Sequence, residues 1–232
     1  MSNSEQNTPS APVITIDGPA GVGKGTLARQ LATMFSFHYL DSGAVYRALA
    51  AKALKEGIGT DEYERLLELA TNLTLRFPQE NDFQAHIDDE NVDASLRSEE
   101  CSQFASQIAV LRDIRQALLA LQRGFQKPPG LVGDGRDLGT VVFPNAEVKI
   151  FLDASCEERA RRRYKQLIDQ GISANFDHLF DSIRARDERD RTRSTAPLVA
   201  AEDAWVIDST TMSIEAVVEN TAAYVKKRLS IV

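Results

Sequence analysis

The sequence has 232 residues, 43% apolar side chains and a net charge of −7, long enough to bury a full core as one large domain or a core with inserts. The acidic balance disfavours a general nucleic-acid or membrane-surface role, no apolar run reaches the length of a membrane span, and Met1–Ser10 is too polar for a signal peptide. Cys101 and Cys156 lack CxxC spacing, and His38, His86 and His178 are scattered, so neither a disulfide nor a metal-ligand set is expected, which suits a reducing cytoplasm.

Residues 1–11 read as a disordered tail. Val13-Ile14-Thr15-Ile16 then reads as a strand, and Leu27 to Ala32 as a helical pattern. Between them stand Gly18, Pro19, Ala20, Gly21, Val22, Gly23, Lys24, Gly25 and Thr26. Strand, glycine-rich turn, lysine and helix is the layout of a phosphate-binding P-loop. Backbone N–H groups converge on a polyanion there, the helix start adds its positive dipole end, and Lys24 neutralises phosphate charge. The strict signature has Ser or Thr directly after the lysine, to put a hydroxyl on Mg²⁺. Here Gly25 takes that place and Thr26 follows.

His38–Leu40 reads as a short strand ending at Asp41-Ser42-Gly43. A helix from Ala44 to about Glu56 carries Tyr46 and Arg47 in its first turn, and Gly57 and Gly59 stop it. Asp61 to Ala70 reads as an amphipathic helix. Leu73–Phe77 and Phe83–Ile87 alternate with period two, which predicts a small antiparallel sheet between Asn72 and Arg97. Helical periodicity runs from Glu99 to Gln126, until Pro128-Pro129-Gly130. Leu131-Val132-Gly133 is a buried strand running into Asp134-Gly135-Arg136-Asp137, the kind of strand end where an open α/β sheet places its ligand chemistry. Glu147–Leu152 is the next strand, and Ser155 with Glu158 forms a capping box before another helix. A further helix runs from about Phe176 to Asp190. Trp205–Ile207 is the last strand, and Ser213 to Leu229 the last helix.

Strands alternating with helices predict an α/β protein, a three-layer α/β/α fold around a five-stranded parallel sheet. From Arg159 to Arg193 arginines crowd together and far outnumber lysines, in a chain that is acidic elsewhere. A solubilising face has no need of the planar guanidinium fork, so this stretch reads as a movable, phosphate-clamping segment. Phosphoryl transfer requires positioning and charge neutralisation more than covalent chemistry, and a lysine in a P-loop with arginines closing over it would supply both.

The segments ITIDGPAGVGKGT, LDSGAVYRA, GDGRDLGTVVFPNAEVKIFLDAS, RDERDRTR and IDSTTMSIE resemble, in the same order, those of bacterial cytidylate (CMP) kinases of the nucleoside monophosphate kinase superfamily. The resemblance implies a P-loop kinase fold with ATP as phosphoryl donor, Mg²⁺, and CMP and dCMP as acceptors. It implies a core of residues 12–42, 107–160 and 196–232. Residues 43–106 would form a monophosphate-binding region containing the small antiparallel sheet, and residues 161–195 an arginine-rich helical lid. By motif, Gly18 to Thr26 hold the ATP phosphates and Arg162 lies over ATP. Ser42, Tyr46 and Arg47 meet the monophosphate, Ser106 and Arg115 reach the cytosine, Arg136 binds phosphate, and Asp137 binds the base. Arg186, Asp190 and Arg193 approach from the lid, so that Lys24, Arg136, Arg186 and Arg193 form the catalytic set.

Cytosine presents an N4 amino donor, whereas uracil has an acceptor at that place, so a carboxylate such as Asp137 favours the former. With no hydroxyl beside Lys24, Mg²⁺ is expected to arrive on ATP, touched only through water by Asp134 or Asp137. A monomer in the cytoplasm, without nucleic-acid or membrane partners, is the expectation. Another nucleoside monophosphate kinase, such as a UMP/CMP or adenylate kinase, is the nearest alternative. A regulatory nucleotide switch would be expected to carry an NKxD motif, and no Asn here precedes a Lys.

Overall fold

The structure, a computed structural model, describes residues 11–93 and 95–231, apart from the side chains of Arg97 and Glu99. Residues 1–10 of the expected tail lie outside the described residues. Ala11, its last residue, is buried, and its carbonyl accepts from the Gln126 side chain at 2.7 Å.

Among the described residues the main sheet has five parallel strands: β1 (Val13–Asp17), β2 (His38–Asp41), β6 (Leu131–Gly135), β7 (Val148–Asp153) and β8 (Trp205–Asp208). Their spatial order is β2-β6-β1-β7-β8. All five residues of β1 and of β6 are buried, as expected for central parallel strands whose two faces are both covered. Helices α1 (Lys24–Phe35), α2 (Ser42–Lys55), α6 (Cys156–Asp169), α7 (Phe176–Thr192) and α8 (Ile214–Leu229) alternate with these strands along the chain. Sequence order reverses at β1, with β6 on one side and β7 on the other, so a crevice opens at the carboxyl ends of these strands. The register puts Asp17 opposite Gly135 and Asp41 opposite Asp134. Three carboxylates therefore stand on the rim of one crevice.

The small sheet is present but shorter than its alternation suggested. It consists of β3 (Leu75–Arg76), β4 (His86–Ile87) and β5 (Glu90–Asn91), antiparallel in that order. Leu73, Leu75, Phe77, Phe83, Ala85 and Ile87 are buried, so the period of two marked the inward face even where ladder hydrogen bonds are missing. Helix α3 (Tyr63–Thr71) precedes it.

The helix expected from Glu99 to Gln126 is two helices, α4 (Glu99–Ile108) and α5 (Arg112–Arg123). Cys101, Ala105 and Ile108 bury one face of α4, while Ile114, Leu118 and Gln122 bury one face of α5. Ile108 and Ile114 are six positions apart, so at about 100° per residue they cannot share one stripe. The chain breaks between them, and Arg115 Nη1 donates to the carbonyl of Ala109 in the break at 3.2 Å.

At α6, Ser155 Oγ accepts from the Glu158 amide at 3.1 Å. The reciprocal half of the box is absent, because the Ser155 amide donates to Thr210 Oγ1 and Glu158 pairs with Arg161 and Arg162. The Cys101 and Cys156 thiols are free.

Candidate active site

The turn between β1 and α1 is built for an anion. Gly18 has φ +152°, and a Cβ there would stand 2.0 Å from the Leu152 carbonyl oxygen, so only glycine lets the loop lie against β7. Gly23, the residue preceding α1, has no side chain to cap the helix, and the first turn carries no acid. The first amides of α1 are thus left for a ligand. Lys24 is buried at 5% exposure, and its Nζ donates back to the Pro19 carbonyl at 2.8 Å. Burial, and next the charge of Arg136, lowers its pKa to about 7. Beside the loop lies a cavity of 410 Å³ lined by Gly21, Val22, Gly23, Thr26, Arg162 and Met212 among others. Arg162 Nη2 donates to the Ser209 carbonyl at 2.6 Å, holding its guanidinium over this cavity's edge.

Asp17, at the end of β1, is 4% exposed and accepts from the amides of Leu138 at 2.9 Å and Gly139 at 2.7 Å. Those amides begin a wide turn, Leu138–Val142, directly after Asp137. Burial raises the Asp17 pKa to about 6 despite these two bonds. Asp134 is likewise raised to about 6, by burial and then by Asp41. The Tyr39 hydroxyl donates to it at 2.7 Å.

Two cation clusters line the crevice. In one, Arg136 Nε donates to Asp190 of α7 at 2.8 Å, and Arg186 shares this neighbourhood with Arg136, Asp190 and Arg47. Arg186 is solvent-exposed at the mouth of this crevice; partial desolvation, then Arg136, holds its pKa below the ordinary value. In the other, Arg115 Nη2 donates to Asp137 Oδ2 at 2.7 Å, and Arg193 Nη2 stands 3.9 Å from Asp137 Oδ1. That Arg193 nitrogen is buried without a hydrogen-bond partner among the described residues. The Tyr46 ring packs under the Arg115 guanidinium, 5.8 Å from centroid to carbon. Arg47 pairs with Asp41 at 2.9 Å.

The structure therefore brings together Lys24, Arg136, Arg186 and Asp190, and separately Tyr46, Arg115, Asp137 and Arg193. Ser42 and Ser106 bond within the protein. Ser42 is buried, with Oγ donating to Gln122 Oε1 at 2.7 Å. Ser106 is exposed, and its hydroxyl donates to the Ser102 carbonyl of its own helix at 3.0 Å. It meets neither Arg115 nor Asp137 here. Asp17, Tyr39 and Gln122 were not expected from the sequence, and Arg159 was expected only as one of a crowd of phosphate-clamping arginines. Asp17 was detectable as a lone acid ending an apolar strand; Ser42, met by Gln122, and Ala20 and Asp187, met by Arg159, are distant in sequence and left no local mark.

Comparison with known proteins follows the same line. The family model for cytidylate kinase matches residues 14–227. Cytidylate kinases from Aeromonas salmonicida and Vibrio vulnificus (strain YJ016) are each 52% identical over 220 residues, covering 94% of this chain and 96% and 97% of theirs. One from Enterobacter sp. is 50% identical over 225 residues, covering 97% of this chain and 99% of its own. Among solved structures, a shikimate kinase from Bacteroides thetaiotaomicron is 15% identical with a TM-score of 0.47, covering 95% of this chain and 99% of that one, too slight a likeness to bear on function.

Proposed function

The chain belongs to the cytidylate kinase family, and on that premise we propose how its residues transfer the γ-phosphoryl group of ATP to CMP or dCMP. The products are CDP or dCDP and ADP. The observation that carries the residue-level reading is that Lys24, Arg136 and Arg186 converge beside the Arg115–Asp137 pair at one crevice.

ATP lies with its phosphates on Gly18 to Thr26 and its nucleoside toward the cavity below Arg162. Lys24, Arg136 and Arg186 neutralise charge that spreads over the phosphoryl oxygens in transit, a contribution realised most strongly in the transition state. Arg193, which stands beside Asp137, joins them by swinging its guanidinium toward the phosphates. Arg47 and Arg136 hold the acceptor phosphate, exchanging Asp41 and Asp190 for it. Asp137 reads the base: Arg115 engages Oδ2, which leaves Oδ1 to accept from the cytosine N4 amino group. Ser42 and Ser106 would have to turn to contribute. The acceptor is a phosphate already ionised at pH 7, so no general base is required.

Mg²⁺ fits the residues present. A Cβ on Gly25 would stand 4.0 Å from Asp134 Oδ1, so this carboxylate lies near the position of the missing hydroxyl. One carboxylate with phosphate oxygens and waters suits Mg²⁺. When bound it would supply charge neutralisation on the phosphates. Residues 43–106 act as the monophosphate-binding region and 161–195 as the lid, in a monomer working in the cytoplasm, where free thiols persist.

The test is a screen of nucleoside monophosphates with ATP, coupled to ADP release, on wild type and Lys24→Ala. CMP and dCMP should be the best acceptors. The variant should lose at least about a hundredfold in kcat/KM, on the order of 3 kcal/mol of transition-state stabilisation. Near-normal turnover by the variant would remove Lys24 from the mechanism, and equal use of AMP or UMP would remove the base assignment.

A further inference from the structure

Helix α7 carries Arg186 and Asp190 yet has no buried residue. Its half-buried stripe is Phe176, Leu179, Phe180, Ile183, Asp187 and Asp190. The stripe begins apolar, with Phe176 against Tyr164 of α6, and ends in two carboxylates one turn apart. Where the helix crosses the crevice, apolar packing no longer sets its position. Polar ties do.

One tie, Asp190 to Arg136, lies within the substrate site itself. A looser one sets Arg191 3.7 Å from Asp153 at the end of β7, both partly exposed. The most buried joins Asp187 to Arg159, which is 2% exposed. Arg159 Nη1 and Nη2 grip the two Asp187 oxygens as a fork. The same guanidinium donates through Nη1 to the Ala20 carbonyl of the P-loop at 2.9 Å and through Nε to the Ala154 carbonyl at 3.0 Å. One buried planar cation thus joins the phosphate loop, the end of β7 and the lid helix. A bidentate Arg–carboxylate pair fixes orientation as well as distance, and Arg186 is the residue adjacent to Asp187.

From this geometry we infer that Arg159 and Asp187 are positioning residues for phosphoryl transfer. They clamp α7 to the donor loop so that Arg186 faces Lys24, and they turn the Ala20 carbonyl away from the phosphates. Neither touches substrate. The inference rests on the reading of Arg186 as a charge-neutralising group.

The experiment is a double-mutant cycle of Asp187→Asn and Arg186→Ala, with kcat and KM for CMP measured at saturating ATP and thermal unfolding followed alongside. Asp187→Asn should lower kcat by about tenfold or more with KM for CMP changed less than about threefold. In the Arg186→Ala background the same substitution should cost less than about twofold, because the group it positions is gone. Arg159→Lys, which keeps the charge and loses the fork, should behave like Asp187→Asn. An equal loss in both backgrounds, or an unchanged kcat for Asp187→Asn, overturns the clamp. If Arg186→Ala alone turns over normally, the reading of Arg186 fails first, and that result is distinguishable from failure of the clamp.

Discussion

Asp17 is held at a cost, and the cost can be measured. Its carboxyl is raised from 3.8 to about 6 by burial, which outweighs the two amides it accepts. A raised acid binds its proton more tightly in the folded state than in the unfolded one. Folding stability therefore falls as pH rises through that window, and the loss stays in place above it. Two pKa units correspond to about 3 kcal/mol. Asp17→Asn replaces the carboxyl by a neutral group of the same shape that does not titrate, but its amide nitrogen, unlike a carboxyl hydroxyl, cannot accept from the second backbone N–H. Near pH 4 the variant should therefore be the less stable, by about 1–3 kcal/mol for the unmatched amide. Between pH 4 and pH 7 the difference should shift in the variant's favour by about 2–3 kcal/mol. Urea unfolding of both proteins at pH 4, 5, 6 and 7 reads this shift, most of it below the range where Lys24 titrates. Activity should move the other way: an amide nitrogen turned on one of the Leu138 and Gly139 amides loosens the turn that carries Asp137, so KM for CMP should rise by about tenfold. A stability difference that stays flat from pH 4 to 7, or that shifts toward wild type as pH rises, would refute the reasoning.

Two further outcomes follow from the site. Lys24 titrates at about 7 in the nucleotide-free protein, and ATP phosphates should raise that value, so ATP binding at pH 8 takes up a proton and weakens as pH rises. Titration calorimetry in buffers of different ionisation enthalpy reads the proton directly, and zero uptake would contradict a buried, partly neutral lysine. Wild type should prefer CMP to UMP by at least about tenfold in kcat/KM, roughly 1–3 kcal/mol for one mismatched polar contact, and Asp137→Asn should shrink that ratio. An unchanged ratio would exclude Asp137 as the reader of the base.

What was legible in the sequence was what local chemistry determines. The loop from Gly18 to Thr26 announces itself because backbone shape, helix start and lysine must all fall within a few residues. The strand Leu131–Gly133 and its polar end were legible for the same reason. The phase slip between Ile108 and Ile114 was also written in the chain, but no glycine or proline between Glu99 and Arg123 marked it. The sheet order was not written there, since nothing local says that β6 inserts between β1 and β2. The shared rim of Asp17, Asp41 and Asp134 follows from that order alone.

The arginine-rich stretch from Arg159 to Arg193 shows where reading by composition stops. Its arginines were conspicuous as a group, and charge density alone cannot separate those that face phosphate from those that hold the frame. The structure separates them by their partners. Arg161 pairs with Glu157 and Glu158 on its own exposed helix face, an arrangement worth little. Arg159, two positions earlier, is buried, and its guanidinium reaches the P-loop at Ala20 and α7 at Asp187 as well as Ala154 just before its own helix. Breaking such a pair costs far more than its presence contributes, because it leaves a buried charge unmatched. A buried arginine packed against the phosphate loop is therefore matched by an acid on α7, and the pair ties that helix to the loop.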